Sequence, residues 1–108
     1  MLIAVAGPYS ADTEEKMKAN LDAMNDACAE VYEKGHVPVV GMNIALPVVN
    51  RLKNINRYDA IMKISLAVVE RCDAILIIGS SPGALKERDL VMAKKLPVYY
   101  SIDEIPEL

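Results

Sequence analysis

Basic runs, long apolar runs, patterned cysteines and internal repeats are all missing from this sequence, and each absence removes a class of function. The net charge is −3 and Lys and Arg are scattered, so a nucleic-acid polymer is not an expected partner, because neutralising a phosphate backbone takes clustered cations. A single nucleotide stays open, since one phosphate needs only a few local donors. No apolar run reaches membrane-spanning length, and strand-like residues begin at Leu2 without a charged leader, so neither a membrane partner nor a signal peptide is expected. The two cysteines suggest no disulfide scaffold and no metal site. Cys28 falls on a helix stripe and Cys72 directly precedes a strand, which reads as two reduced core thiols in a cytoplasmic protein without metal or cofactor. The one histidine, His36, stands at a strand entrance, a place more often structural than catalytic.

What is present describes one domain over residues 1–108. Hydrophobic residues make up 53% and charged residues 25%, a balance that excludes a disordered chain and allows one substantial core. The informative stretch is Cys72 to Glu87, CDAILIIGSSPGALKE. Asp73 to Ile78 is a short apolar run rich in β-branched residues that ends at Gly79-Ser80-Ser81-Pro82-Gly83, the pattern of a strand buried on both faces of a parallel sheet. Ala84 to Lys95 then reads as a helix with Ser81 or Ser80 as N-cap and Pro82 near its first turn. At about 100° per residue, Glu87 shares a stripe with Ala84, Leu90 and Val91. A carboxylate on an apolar stripe is either paired with a neighbouring lysine or held for use, because burying it unpaired costs several kcal/mol.

In chain order, Leu2 to Ala6 is a first strand that opens into Gly7-Pro8-Tyr9-Ser10. Asp12-Thr13-Glu14-Glu15 supplies a capping box and an acidic first turn. Met17, Leu21, Met24, Cys28 and Val31 follow at helical spacing, and Gly35 ends the helix in a left-handed cap. His36 to Val40 resumes strand character. Gly41 to Arg57 contains a short helix interrupted at Pro47 and then a mobile connection, of the length that often covers a site. Tyr58 to Arg71 is helical with Ile61, Ile64, Ser65 and Val68 on one stripe, so Ser65 faces inward. Pro97 to Ser101 is the last strand, before a short acidic tail.

This alternation implies an α/β, flavodoxin-like three-layer sandwich with a four-stranded parallel sheet of order 2-1-3-4. In such sheets ligands bind beyond the carboxyl ends of the strands where the winding reverses. The loops meeting there are Gly7-Pro8-Tyr9-Ser10 and Gly79 to Gly83. Tyr9 brings an aromatic face and a hydroxyl, Ser80 and Ser81 bring hydroxyls, and the backbone near Gly83 opens a helix toward the same space, which suits an anion. A receiver domain would share the architecture, but Ala6-Gly7 and Ile78-Gly79 stand where its acidic cluster would be needed.

Ala6-Gly7-Pro8-Tyr9, Cys72-Asp73-Ala74-Ile75, Ser81-Pro82-Gly83 with Glu87, and Lys95-Leu96-Pro97-Val98 together resemble the nucleoside 2-deoxyribosyltransferase-like family, which includes 2'-deoxynucleoside 5'-phosphate N-hydrolases. The resemblance runs in order over nearly the whole chain and implies glycosidic chemistry on a small nucleoside or nucleotide. The glutamate matching Glu87 attacks C1' of the sugar to form a glycosyl-enzyme intermediate. A helix N-terminus and nearby hydroxyls would favour its ionised form. The tyrosine matching Tyr9 positions sugar and nucleophile, and Gly7, Pro8, Ser10, Ser80, Ser81, Gly83 and Ser65 fall among the substrate-binding positions. Transferases acting on free nucleosides carry an aspartate at the Ser81 position, whereas the monophosphate hydrolases carry a serine that can donate to phosphate.

One departure weighs against turnover. The family places an aspartate near the leaving base where this chain has Ser65, and a serine hydroxyl cannot protonate a base at neutral pH. Loss of a general acid costs on the order of 10²–10⁴ in rate, so Tyr58 or His36 would have to substitute, or the protein binds a nucleotide without cleaving it. The chain is also shorter than most members, without the C-terminal segment that completes a neighbouring subunit's site in several of them. The family associates through helices flanking the sheet, so a homodimer is expected, with the Met-rich first helix offering material for its face.

Overall fold

The computed structural model describes residues 1–108. Its strands are β1 (Leu2–Ala6), β2 (Val37–Val39), β3 (Ala74–Ile77) and β4 (Val98–Tyr99), and its helices α1 (Glu14–Glu33), α2 (Gly41–Val49), α3 (Arg57–Val69) and α4 (Pro82–Ala93). The strands form one parallel sheet in the order β2-β1-β3-β4, the flavodoxin-like α/β architecture that the alternation predicts.

The two central strands explain the apolar runs. Ile3 and Val5 of β1 and Ala74 and Leu76 of β3 pack with Met24 and Val31 of α1, while Ala4, Ala6, Ile75 and Ile77 pack with Val69 of α3 and Ala84 and Val91 of α4. Successive side chains of a strand point to opposite faces, so a strand covered on both sides has no solvent face to mark with polar residues. Because β1 lies between β2 and β3, the chain leaves the sheet in opposite directions after β1 and β3, which sets the loops following them side by side.

Local chemistry sets the helix ends. The Thr13 hydroxyl accepts from the Lys16 amide at 3.1 Å. The reciprocal half of the expected capping box is missing because Lys16 occupies its third position, where it pairs instead with Asp12 at 3.0 Å. Gly35 takes φ +94° after α1, as a left-handed cap requires. The Asn56 side chain caps α3 by accepting from the Asp59 amide at 3.1 Å. Ser81, not Ser80, caps α4 by accepting from the Ala84 amide at 3.1 Å.

Two expectations need correction here. Helix α2 runs through Pro47 without interruption. Pro47 forfeits only the bond to the Asn43 carbonyl, both residues are exposed, and water can serve the freed group. The methionines of α1 are not surface material either, since Met24 is buried and Met17 faces a cavity. The acidic tail is pinned to the rest of the fold. Lys34 Nζ donates to the carbonyls of Ile102 and Ile105 at 2.7 and 2.9 Å, and Ile105 is buried against the α1 side of the sheet.

Candidate functional site

At the carboxyl ends of β1 and β3 the two loops interlock. A Cβ on Gly7 would stand 2.7 Å from Ile78 Cγ1, and one on Gly79 would stand 2.8 Å from Pro8 Cδ. Neither position can carry a side chain without moving the other loop. Asn20 of α1 donates to the Tyr9 carbonyl at 2.9 Å, holding the first loop against the helix. Beside them opens a cavity of about 510 Å³, within the range that holds a small-molecule ligand.

Of the residues singled out from the sequence, Gly7, Pro8, Tyr9, Ser10, Ser65, Ser81, Gly83 and Glu87 all line this cavity. Ser80 does not. It is exposed and precedes the serine that caps α4. His36 is also remote. It is buried at the amino end of β2, with Nδ1 accepting from the Met1 ammonium at 2.9 Å and Nε2 donating to the Pro106 carbonyl at 2.6 Å, so it cannot serve as the acid.

Glu87 is the only carboxylate that lines the cavity, and it is only 8% exposed. It is not paired with a lysine, for the ion pairs of the fold are Asp12 with Lys16 and Arg88 with Asp89. Its partner is Ser65, 1% exposed, whose hydroxyl donates to Glu87 Oε1. Burial pushes the Glu87 carboxyl above its ordinary value of 4.5, and the Ser65 hydrogen bond pulls it back in part. The shift therefore runs opposite to the one expected from the helix N-terminus and nearby hydroxyls. Glu87 lies a turn inside α4, where lost hydration outweighs the helix N-terminus and the single hydroxyl.

Sequence reading missed much of the wall. Arg57, the only cation lining the cavity, stands at the start of α3 with Nη2 donating to Asn50 Oδ1. Met17, Met24, Met42 and Met62 line it as well, four of the six methionines in the chain. The stripe positions of Met17 and Met24 fitted a core equally well, so only the long connection before Arg57 hinted at a covered site. Tyr58, considered as a proton donor, does line the cavity and is 43% exposed, with Lys86 Nζ 4.9 Å from its ring centroid.

The thiols are chemically quiet. Burial pushes Cys28 up to about 11, and Cys72 is raised by burial first and then by Asp73 and Glu87. No three His, Cys, Asp or Glu side chains stand together to hold a metal, and no helix is long and apolar enough to cross a membrane. The arrangement supplies one buried carboxylate, hydroxyls from Tyr9, Ser10, Tyr58 and Ser81, and one guanidinium around a largely apolar space. That set suits attack on, or proton exchange with, a ligand bearing an anionic group. Compared with known proteins, the chain matches no family model, no curated protein and no solved structure.

Proposed function

We propose that this protein binds a nucleoside 5'-monophosphate, ribo or deoxyribo, and cleaves its base–sugar bond with Glu87 as nucleophile. The observation that carries the reading is Glu87 itself, a lone buried carboxylate facing a ligand-sized cavity where a doubly wound sheet presents its loops. The resemblance of the motifs around Tyr9, Ser81 and Glu87 to the nucleoside 2-deoxyribosyltransferase-like family supports the glycosidic chemistry.

In this mechanism a Glu87 oxygen bonds to C1' as the electron pair of the glycosidic bond leaves with the base nitrogen. The base takes a proton from Tyr58 or from water. Water then attacks C1', its proton passing to the group that protonated the base, as the bond from C1' to the Glu87 oxygen breaks, restoring the carboxylate and releasing the sugar phosphate; a second base in its place makes the reaction a transfer. Tyr9 would set sugar and nucleophile together. The phosphate would be held by Arg57, by the opening of α4, and by Ser81, whose oxygen caps the helix while its proton stays free to donate.

Chromatography of base released from a panel of nucleoside monophosphates, with Glu87→Gln alongside, tests the proposal. Release by the parent and none by the variant upholds it. The second reading, a nucleotide-binding protein without turnover, is favoured by Ser65 at the position of the family's acid. Nucleotides that raise the melting temperature without release of base would establish it. We also propose a homodimer. With the methionines of α1 turned inward, the exposed apolar residues Ile44 and Val48 of α2, with Leu52 just beyond it, offer a face for it, and a monomer by light scattering at micromolar concentration would exclude it.

A further inference from the structure

We infer that Ser65 is a positioning residue for Glu87, its one proton committed to the carboxylate, with the bare Cα of Gly41 confining it there. The role rests on the proposed function in treating Glu87 as the attacking group, but the contact itself does not. Ser65 projects from the inward face of α3, and its hydroxyl donates to Oε1 of Glu87 on α4. A serine has one proton to give, so none remains for a departing base. Ser65 is therefore not a weakened general acid. It replaces a proton donor to the ligand with a proton donor to the nucleophile.

The two carboxylate oxygens are thereby made unequal. Oε1 is anchored, whereas Oε2 has no hydrogen-bond partner in the chain. Every fully buried side-chain nitrogen or oxygen has such a partner, so Oε2 is the oxygen left accessible, on a residue that lines the cavity. Anchoring one oxygen while the other faces the ligand space orients a nucleophile without spending its reactive lone pairs.

Gly41 completes the device. A Cβ there would lie 2.1 Å from Ser65 Oγ, 2.9 Å from its Cβ and 3.1 Å from its Cα. The first residue of α2 thus lies directly against the hydroxyl, and any side chain at position 41 would occupy the place of Ser65 Oγ. The other titratable groups around Glu87 are Tyr9 from the β1 loop, Arg57 and Tyr58 from α3, and Cys72 before β3. None of them hydrogen-bonds the carboxylate, so the titration of Glu87 reports chiefly its burial and its contact with Ser65.

The test is a carboxyl-carbon NMR titration of glutamate-labelled protein, comparing parent, Ser65→Ala and Gly41→Ala, with Glu87→Gln to assign the resonance. Loss of a hydroxyl donating to the charged form moves the Glu87 titration to higher pH, and Gly41→Ala, which keeps the hydroxyl but displaces it, moves it the same way. If the parent is an active glycosidase, the acid limb of its kcat profile shifts in parallel, and turnover on that limb falls on the order of tenfold. A parent-like Glu87 titration in folded Ser65→Ala overturns the inference. Because the titration needs no substrate, its failure is separable from failure of the glycosidase reading. Base release with an unmoved titration sinks the positioning role alone, and a shifted titration without base release sinks the enzyme alone.

Discussion

Gly41→Ala is the sharpest structural test of how this site is assembled. The φ of Gly41 lies outside the left-handed region, so the substitution adds no backbone strain and its effect is contact alone. The new methyl would meet Ser65 Oγ at 2.1 Å, which rotation could relieve, but also Ser65 Cβ at 2.9 Å and Cα at 3.1 Å, which belong to the body of α3. Relief needs α2 and α3 to part by several tenths of an ångström in a buried contact. Overpacking of this kind costs about 1–3 kcal/mol, against up to about 1 kcal/mol gained from replacing glycine in a helix, less at its first residue. The net is a loss of about 1–2 kcal/mol, which lowers the melting temperature of a domain this size by about 4–8 °C. Thermal unfolding followed by circular dichroism measures it directly. A variant that melts at or above the parent temperature would refute the claim that α2 closes on Ser65.

Glu87→Gln should be more stable than the parent above the folded carboxyl pKa. Burial raises that pKa above the unfolded value of 4.5, so the fold favours the neutral acid; this stabilisation is complete below 4.5 and is lost as pH rises through the folded value. The difference in melting temperature should grow from near zero at about pH 4 to a clear advantage for the variant at neutral pH, and equal melting there would contradict the burial argument. Lys34→Met removes the donor shared by the Ile102 and Ile105 carbonyls and should cost about 1–3 kcal/mol, with faster amide exchange from Ile102 onward; an unchanged tail would show that the burial of Ile105 and the His36–Pro106 contact suffice to hold it. Cys28, pushed up to about 11 by burial, should react with a thiol reagent at neutral pH far more slowly in the folded than in the unfolded protein, whereas equal rates would place the thiol in water.

The fold was legible because its signals are redundant. The apolar runs of β1 and β3 can be satisfied only between two layers of helices, and alternation with helices leaves little choice but a parallel sheet. Much of the site was legible for the same reason, since the winding order alone brings the Tyr9 loop beside the Ser81 loop. Pro47 misled because a proline costs a helix one bond, and where that bond faces water the cost is small. Ser80 misled because two adjacent serines are equivalent cap candidates until the backbone chooses one.

The sequence by itself determined the strand order, the inward placement of Ser65 and Glu87 and the loops that meet above the sheet, for these follow from periodicity and chain order. Tertiary structure alone decided that Ser65 serves Glu87, that Gly41 holds it there, that Arg57 and four methionines wall the cavity, and that burial outweighs the helix N-terminus and the hydroxyl at the Glu87 carboxyl. The physical reason is distance in the chain. Glu87 lies 22 residues from Ser65, and a contact between such residues depends on how helices pack, which no local pattern records.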